Sequence, residues 1–245
     1  MTKLFDKEIK DVLNLISGLE CAEFGFDRNN IAKEGSANEL ILKRDMAYEL
    51  GEGSFPATSI TAITLDESLV PADGVYVIGK DLDKIKSDGP FARITLIRTD
   101  DVYEHGDQAA YNLIKSLETQ KFRVFPSGYM VRASAMNNRE QVRVSKSAIK
   151  DGISFASVGN MLIESYKKNP RVKAVGVYFI TLADAPYREL DGLSDKINVI
   201  VKTLNHALKD VSMDCKACEW KPVCDTVDGM KELHGKVRKG GLNGK

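Results

Sequence analysis

The run Val172-Lys-Ala-Val-Gly-Val-Tyr-Phe-Ile-Thr181 is the clearest strand signal in the chain, and helical patterns stand on both sides of it. β-branched and aromatic residues suit a pleated, packed surface, so such a strand needs partners in a sheet and helices to cover it. Residues 59–64 alternate β-branched side chains, residues 75–79 follow the turn Pro71-Ala72-Asp73-Gly74, and residues 92–97 repeat the strand pattern. Residues 129–133 and 141–144 read as a strand pair joined at Asn137-Asn138, a dipeptide that tolerates left-handed backbone angles. Apolar positions at helical spacing govern residues 7–19, 107–117 and 189–209. Ser145 and Ser154 are placed as helix caps, the second helix running through Val158, Met161, Leu162 and Tyr166 to the stop Asn169-Pro170. Residues 26–53 are polar and glycine-punctuated and read as loop, with Leu40-Ile41-Leu42 as a short strand. The class that follows is α+β, a mixed sheet with packed helices.

With 245 residues and 43% hydrophobic composition the chain can bury a full core without disulfides. Lys+Arg and Asp+Glu both total 35, so charge favours neither nucleic acid nor an anionic membrane as the main partner. The first twenty residues are charged at every turn and lack the apolar core of a signal peptide. No stretch approaches the roughly 20 apolar residues of a membrane span, and a cytoplasmic location is expected. The organisation predicted is a domain over residues 1–210, a cysteine segment over 211–235 and a disordered tail over 236–245.

Three of the four cysteines fall in Cys215-Lys-Ala-Cys218-x5-Cys224, the pattern of a metal or iron–sulfur site in a reducing compartment. Two thiolates two residues apart ligate one metal from a single turn, and a third closes most of the site. The fourth ligand is His234, or Cys21 brought in by the fold, or an exogenous group. All-thiolate ligation favours a [4Fe–4S] cluster, whereas a histidine favours zinc, and a non-enzymatic interaction module stabilised by zinc or by a cluster is the alternative function. Three unrelated thiols, or a labile disulfide pair, are the alternative without a metal. His105 and His206 sit on predicted helices, where a lone histidine is usually an ordinary polar residue. Arg132, Arg139 and Arg143 could bind phosphate from the strand pair or simply form a solvated face. The glycines match neither a dinucleotide fingerprint nor a P-loop.

The landmarks Val77-Ile78-Gly79-Lys80-Asp81-Leu82, the helix 108–117, Asn138-Arg139-Glu140, Val142-Arg143-Val144-Ser145-Lys146, the helix 158–166 and Val175-Gly-Val-Tyr-Phe-Ile-Thr181 keep a recognisable order and spacing. Over residues 74–188 the chain resembles the middle region of the β subunit of carbon monoxide dehydrogenase/acetyl-CoA synthase. That resemblance implies a place in anaerobic one-carbon metabolism. It also implies an iron–sulfur cluster on the cysteines, coenzyme A on Arg139 and Arg143, and carbon monoxide dehydrogenase or corrinoid subunits as partners. The sequence departs from the family at its cysteines: the gap to Cys224 is shorter, and neither a fourth downstream cysteine nor the nickel-holding Cys-Gly-Cys follows within these 245 residues. Acetyl-CoA synthesis by this chain alone is therefore not expected.

Overall fold

A computed structural model of the chain describes residues 3–37, 39–41, 44–100, 107–134, 139–209, 218, 219, 221–227 and 230. Its elements are α1 (Asp6–Ile16), β1 (Cys21–Gly25), β2 (Ala47–Leu50), β3 (Ala57–Thr64), β4 (Gly74–Ile78) and β5 (Phe91–Thr99). They continue with α2 (Asp107–Gln120), β6 (Tyr129–Ser134), β7 (Arg139–Ser145), α3 (Lys146–Lys150), α4 (Phe155–Lys167), β8 (Val172–Ile180), α5 (Tyr187–Lys209) and α6 (Lys221–Thr226).

Five strands form a mixed sheet in the order β1-β4-β8-β5-β3. β3 runs parallel to β5 and β4 parallel to β8, while β5 and β8 are antiparallel, as are β1 and β4. The central strand β8 carries the clearest strand signal in the chain. Its neighbours β4 and β5 supply Val75, Val77, Ile94, Leu96 and Ile97, all buried. A near-continuous apolar strand is what a position covered on both faces requires. Helix α4 lies over β4 and β8, and α5 lies over β3 with α1 against it.

The closeness of α4 to the sheet rests on one glycine. A Cβ built on Gly159 would stand 2.5 Å from Val75 Cγ2, so the helix could not sit at this depth with any larger residue there. The rings of Phe91, Phe155 and Phe179 pack together beneath it, the last two with centroids 4.5 Å apart. Elsewhere on the sheet Tyr76 and Tyr178, paired in register on β4 and β8, stack at 4.4 Å and fold back over Gly74 and Gly176.

A second antiparallel sheet, ordered β2-β7-β6, packs against β3 and β5. Tyr129, Val142 and Val144 face the core. Successive strand residues point to opposite faces, so Arg139, Gln141 and Arg143 share the outer face with Arg132 and Glu49 of the flanking strands.

The α+β class and the mixed sheet with packed helices agree with the sequence reading. The loop predicted over residues 26–53 is corrected at its end, where β2 pairs with β7, and Leu40 and Ile41 lie outside any strand. Strand β1 was missed because its residues are mostly exposed at a sheet edge and leave no apolar signature. Asn137-Asn138, His105, and the tail predicted as disordered all lie outside the described residues, as do most positions between 210 and 235.

Candidate functional site

Strand alternation places three guanidinium groups on the outer face of the small sheet. Arg143 donates to Glu49 Oε1 at 2.6 Å and to the Ile41 carbonyl at 2.6 Å. Arg132 reaches Glu52 at 2.9 Å and Glu49 at 3.6 Å. Arg139 takes no carboxylate among its hydrogen bonds and donates to the carbonyls of Gly51, Gly53 and Phe55, at 2.8, 3.1 and 2.9 Å. These bonds hold the loop between β2 and β3 in a tight curl. Gly51 there adopts φ +78°, and an added Cβ would meet Ala57 at 2.6 Å. Arg132 and Arg143 thus share the buried Glu49, and Arg132 also takes Glu52.

Beside this face is a cavity of about 500 Å³. Arg132 and Arg143 form its cationic wall, and Phe122, Phe125, Met130 and Leu40 form its apolar wall. Phe122, Phe125 and Leu40 are exposed large apolar residues, so a substantial part of this wall faces solvent. Arg139 lines a different cavity on the other side of Lys121. The structure therefore separates the two arginines singled out from the sequence. Arg143 faces the aromatic cavity, and Arg139 braces the loop that carries Glu52.

Beneath both cavities is an ionic cluster that the sequence reading did not identify. Arg93 on β5 and Glu140 on β7 are 3% and 1% exposed and paired at 2.6 Å. Lys121, just past α2, approaches Glu140 at 3.4 Å and donates to Ser59 Oγ at 2.7 Å. Burial raises the Glu140 carboxyl, but Arg93 and Lys121 outweigh it and hold the group below its usual range. Burial drives Lys121 down, opposed by Glu140 and reinforced by Arg93. Two buried hydroxyls complete the setting, with Tyr166 pushed up to about 12 by burial and Tyr129 raised by the same cause. One signal could have located Glu140: it alternates with Val142 and Val144, the residues that face the core.

The cysteine reading meets the structure only in part. Cys218 precedes α6 and Cys224 lies on it, both half-buried thiols, and α6 packs against α5. Cys21 is on β1 at one edge of the large sheet, its thiol raised by burial and by Glu23. No group of three or more His, Cys, Asp and Glu residues able to hold a metal ion occurs among the described residues. Cys215 and His234 lie outside them. The described donors thus amount to two thiols bracketing the start of a short helix, an incomplete set for a zinc or cluster site. His206 is a half-buried residue of α5 and belongs to no such group among the described residues.

Fold and site together define a mixed α+β protein with a cationic, aromatic-walled cavity on its smaller sheet. The family model of the CO dehydrogenase/acetyl-CoA synthase complex beta subunit matches residues 31–185, and the chain belongs to that family. The matched span carries β2 to β8, both cavities' arginines and the ionic cluster, but not the cysteine segment. The chain is also similar to the carbon monoxide dehydrogenase/acetyl-CoA synthase subunit alpha of Moorella thermoacetica, 28% identical over 130 residues. That alignment takes in 53% of this chain and 17% of the relative's length. No helix among the described residues is long and apolar enough to cross a membrane.

Proposed function

We propose that this protein is an acetyl-CoA-synthase-like component of a one-carbon complex and binds coenzyme A in the cavity beside Arg132 and Arg143. The observation that supports this most is the pairing of two guanidiniums with Phe122 and Phe125 around one space of about 500 Å³. Coenzyme A offers phosphates to arginine and an adenine face to an aromatic ring. Among the described residues that line the cavity, Arg132, Arg143 and Lys121 are cationic and Glu39 is acidic. Arg139 acts at one remove by fixing the loop from which Glu52 orients Arg132. Carbon monoxide dehydrogenase or corrinoid subunits are the partners this reading expects.

Calorimetric titration with coenzyme A tests the assignment. Arg143→Ala and Arg132→Ala should each weaken binding by roughly tenfold, the value of one charge-assisted hydrogen bond, and Arg139→Ala by less. Equal affinity in the wild type and all three variants would remove the arginines from the site.

Cys218 and Cys224, with Cys215, are the residues that would hold a metal centre, for which the half-buried pair at the head of α6 gives partial support. A [4Fe–4S] cluster there would supply electron transfer, and zinc would only knit the segment together.

A further inference from the structure

The cavity between β3, α2 and α5, about 530 Å³ in volume, is distinct from the one assigned to coenzyme A, though Lys121 and Phe122 border both. Its floor is the ionic cluster. There Arg93 and Lys121 share a single carboxylate oxygen, Glu140 Oε2, at 2.6 and 3.4 Å, so the buried set carries one positive charge in excess. An uncompensated buried charge is costly and favours an anion within reach. An ammonium group has three protons to donate, and Ser59 Oγ and Glu140 take two of those of Lys121.

A second observation points the same way. Thr61, on the same strand face as Ser59, lines the cavity with a buried hydroxyl that has no hydrogen-bond partner. The cavity walls next to this floor are apolar, with Ile114 from α2 and Ile197 from α5, both buried. Of the charges at the rim, Glu118 is taken by Lys115 at 2.5 Å, Asp195 and Lys202 on α5 contribute one of each sign, and Arg139 adds a further cation that donates to backbone carbonyls. The cavity thus has a net positive charge beside its apolar walls.

We infer that this cavity binds a short-chain monocarboxylate, its carboxylate on Lys121 Nζ and the Thr61 hydroxyl and its alkyl chain against Ile114 and Ile197. An alkyl carboxylate uses both the cationic floor and the apolar walls, whereas phosphate uses only the first. The apolar walls give a longer chain the advantage, each buried methylene adding about 0.8 kcal/mol, or roughly fourfold in affinity.

The test is a chemical-shift titration of the isotope-labelled protein, without coenzyme A, using acetate, butyrate, butan-1-ol and inorganic phosphate in turn. Butyrate should shift the backbone amides around Thr61 and Lys121 saturably and bind more tightly than acetate. Lys121→Met, which keeps the length and removes the charge, should weaken butyrate by roughly tenfold or more, and Thr61→Val by a few-fold. The spectrum of each variant reports its folding in the same experiment, and Thr61→Val carries the test should Lys121→Met not fold. The proposal is overturned by any of four results: no saturable shifts, butan-1-ol or phosphate matching butyrate, acetate binding as tightly as butyrate, or unchanged affinity in the folded variants.

Discussion

Glu140 is the residue on which the polar interior turns, because two buried cations depend on its one carboxylate. Replacing it by glutamine leaves Arg93 and Lys121 buried without a counter-charge, a change of the kind that costs about 3–5 kcal/mol. Urea unfolding of Glu140→Gln should show a loss of this size with little change in the slope against denaturant. The same carboxylate sets a pH dependence. Its pKa is held below the ordinary value in the fold, so its contribution is complete above the unfolded carboxylate pKa and is lost as pH falls through the lower, folded one. Lys121, also lowered, acts in the same direction: the penalty of its protonated form is complete below its folded pKa and is relieved as pH rises toward the ordinary lysine value. The thermal midpoint of the wild type should therefore fall below about pH 4, and Glu140→Gln should lose part of that acid limb. The sequence gives no direct notice of this cluster, since Arg93, Lys121 and Glu140 are brought together by three separate elements. Only the period-two pattern of β7, with Glu140 in the row of Val142 and Val144, marks one member as inward-facing.

Helix α4 joins local signals to packing. Ser154 Oγ accepts from the Ser157 amide at 3.1 Å while the Ser154 amide donates to the Ser157 hydroxyl at 3.1 Å, a reciprocal cap. Asp81 adds a bond from the Phe155 amide at 2.7 Å, tying the helix start to the end of β4. Ser154→Ala should cost about 1 kcal/mol, the usual value of a lost cap. Gly159→Ala raises helix propensity yet places a methyl group 2.5 Å from Val75, so overpacking should win and destabilise by about 1–3 kcal/mol in the same unfolding measurement. A net gain in stability would mean that α4 can slide on the sheet. Elements of this kind were legible in the sequence: the cap at Ser154, the stop at Asn169-Pro170 and the buried run of β8 are each specified within a few residues. Strands β1 and β2 were not. Each is short and joined to its sheet along one side only, and β2 is specified mainly by pairing with β7, a long-range contact that no local pattern announces.

At the scale of the whole molecule the family-matched span is not a complete folding unit, because it ends before α5 begins. Helix α5 covers β3 with Leu190, Leu193, Ile197, Ile200 and Leu204, all nearly inaccessible, and Ser194 bonds the Ser59 carbonyl at 2.7 Å. A chain cut after residue 185 would expose that face and should aggregate or remain unfolded. One cut after Lys209 keeps α5 and should fold, but it loses Met230, fully buried, and the packing of Val223 and Val227 against the core. Burial of one such side chain stabilises by about 1.5–3 kcal/mol, and each kcal/mol moves the midpoint of a domain this size by about 2–4 °C. The shorter chain should therefore melt several degrees below the full one. This comparison also tests the cysteine segment. A metal held by Cys215, Cys218 and Cys224 would bind the folded tail and not the unfolded one, so removing it with a chelator would lower the midpoint of the full chain toward that of the truncated chain. Analysis of anaerobically purified protein for iron, sulfide, zinc and nickel then identifies the centre. Stoichiometric iron and sulfide, with a chelator-sensitive midpoint, is the outcome expected for a [4Fe–4S] cluster. One zinc per chain gives a zinc-stabilised interaction module, and a metal-free protein whose midpoint ignores the chelator leaves Cys218 and Cys224 as ordinary half-buried thiols.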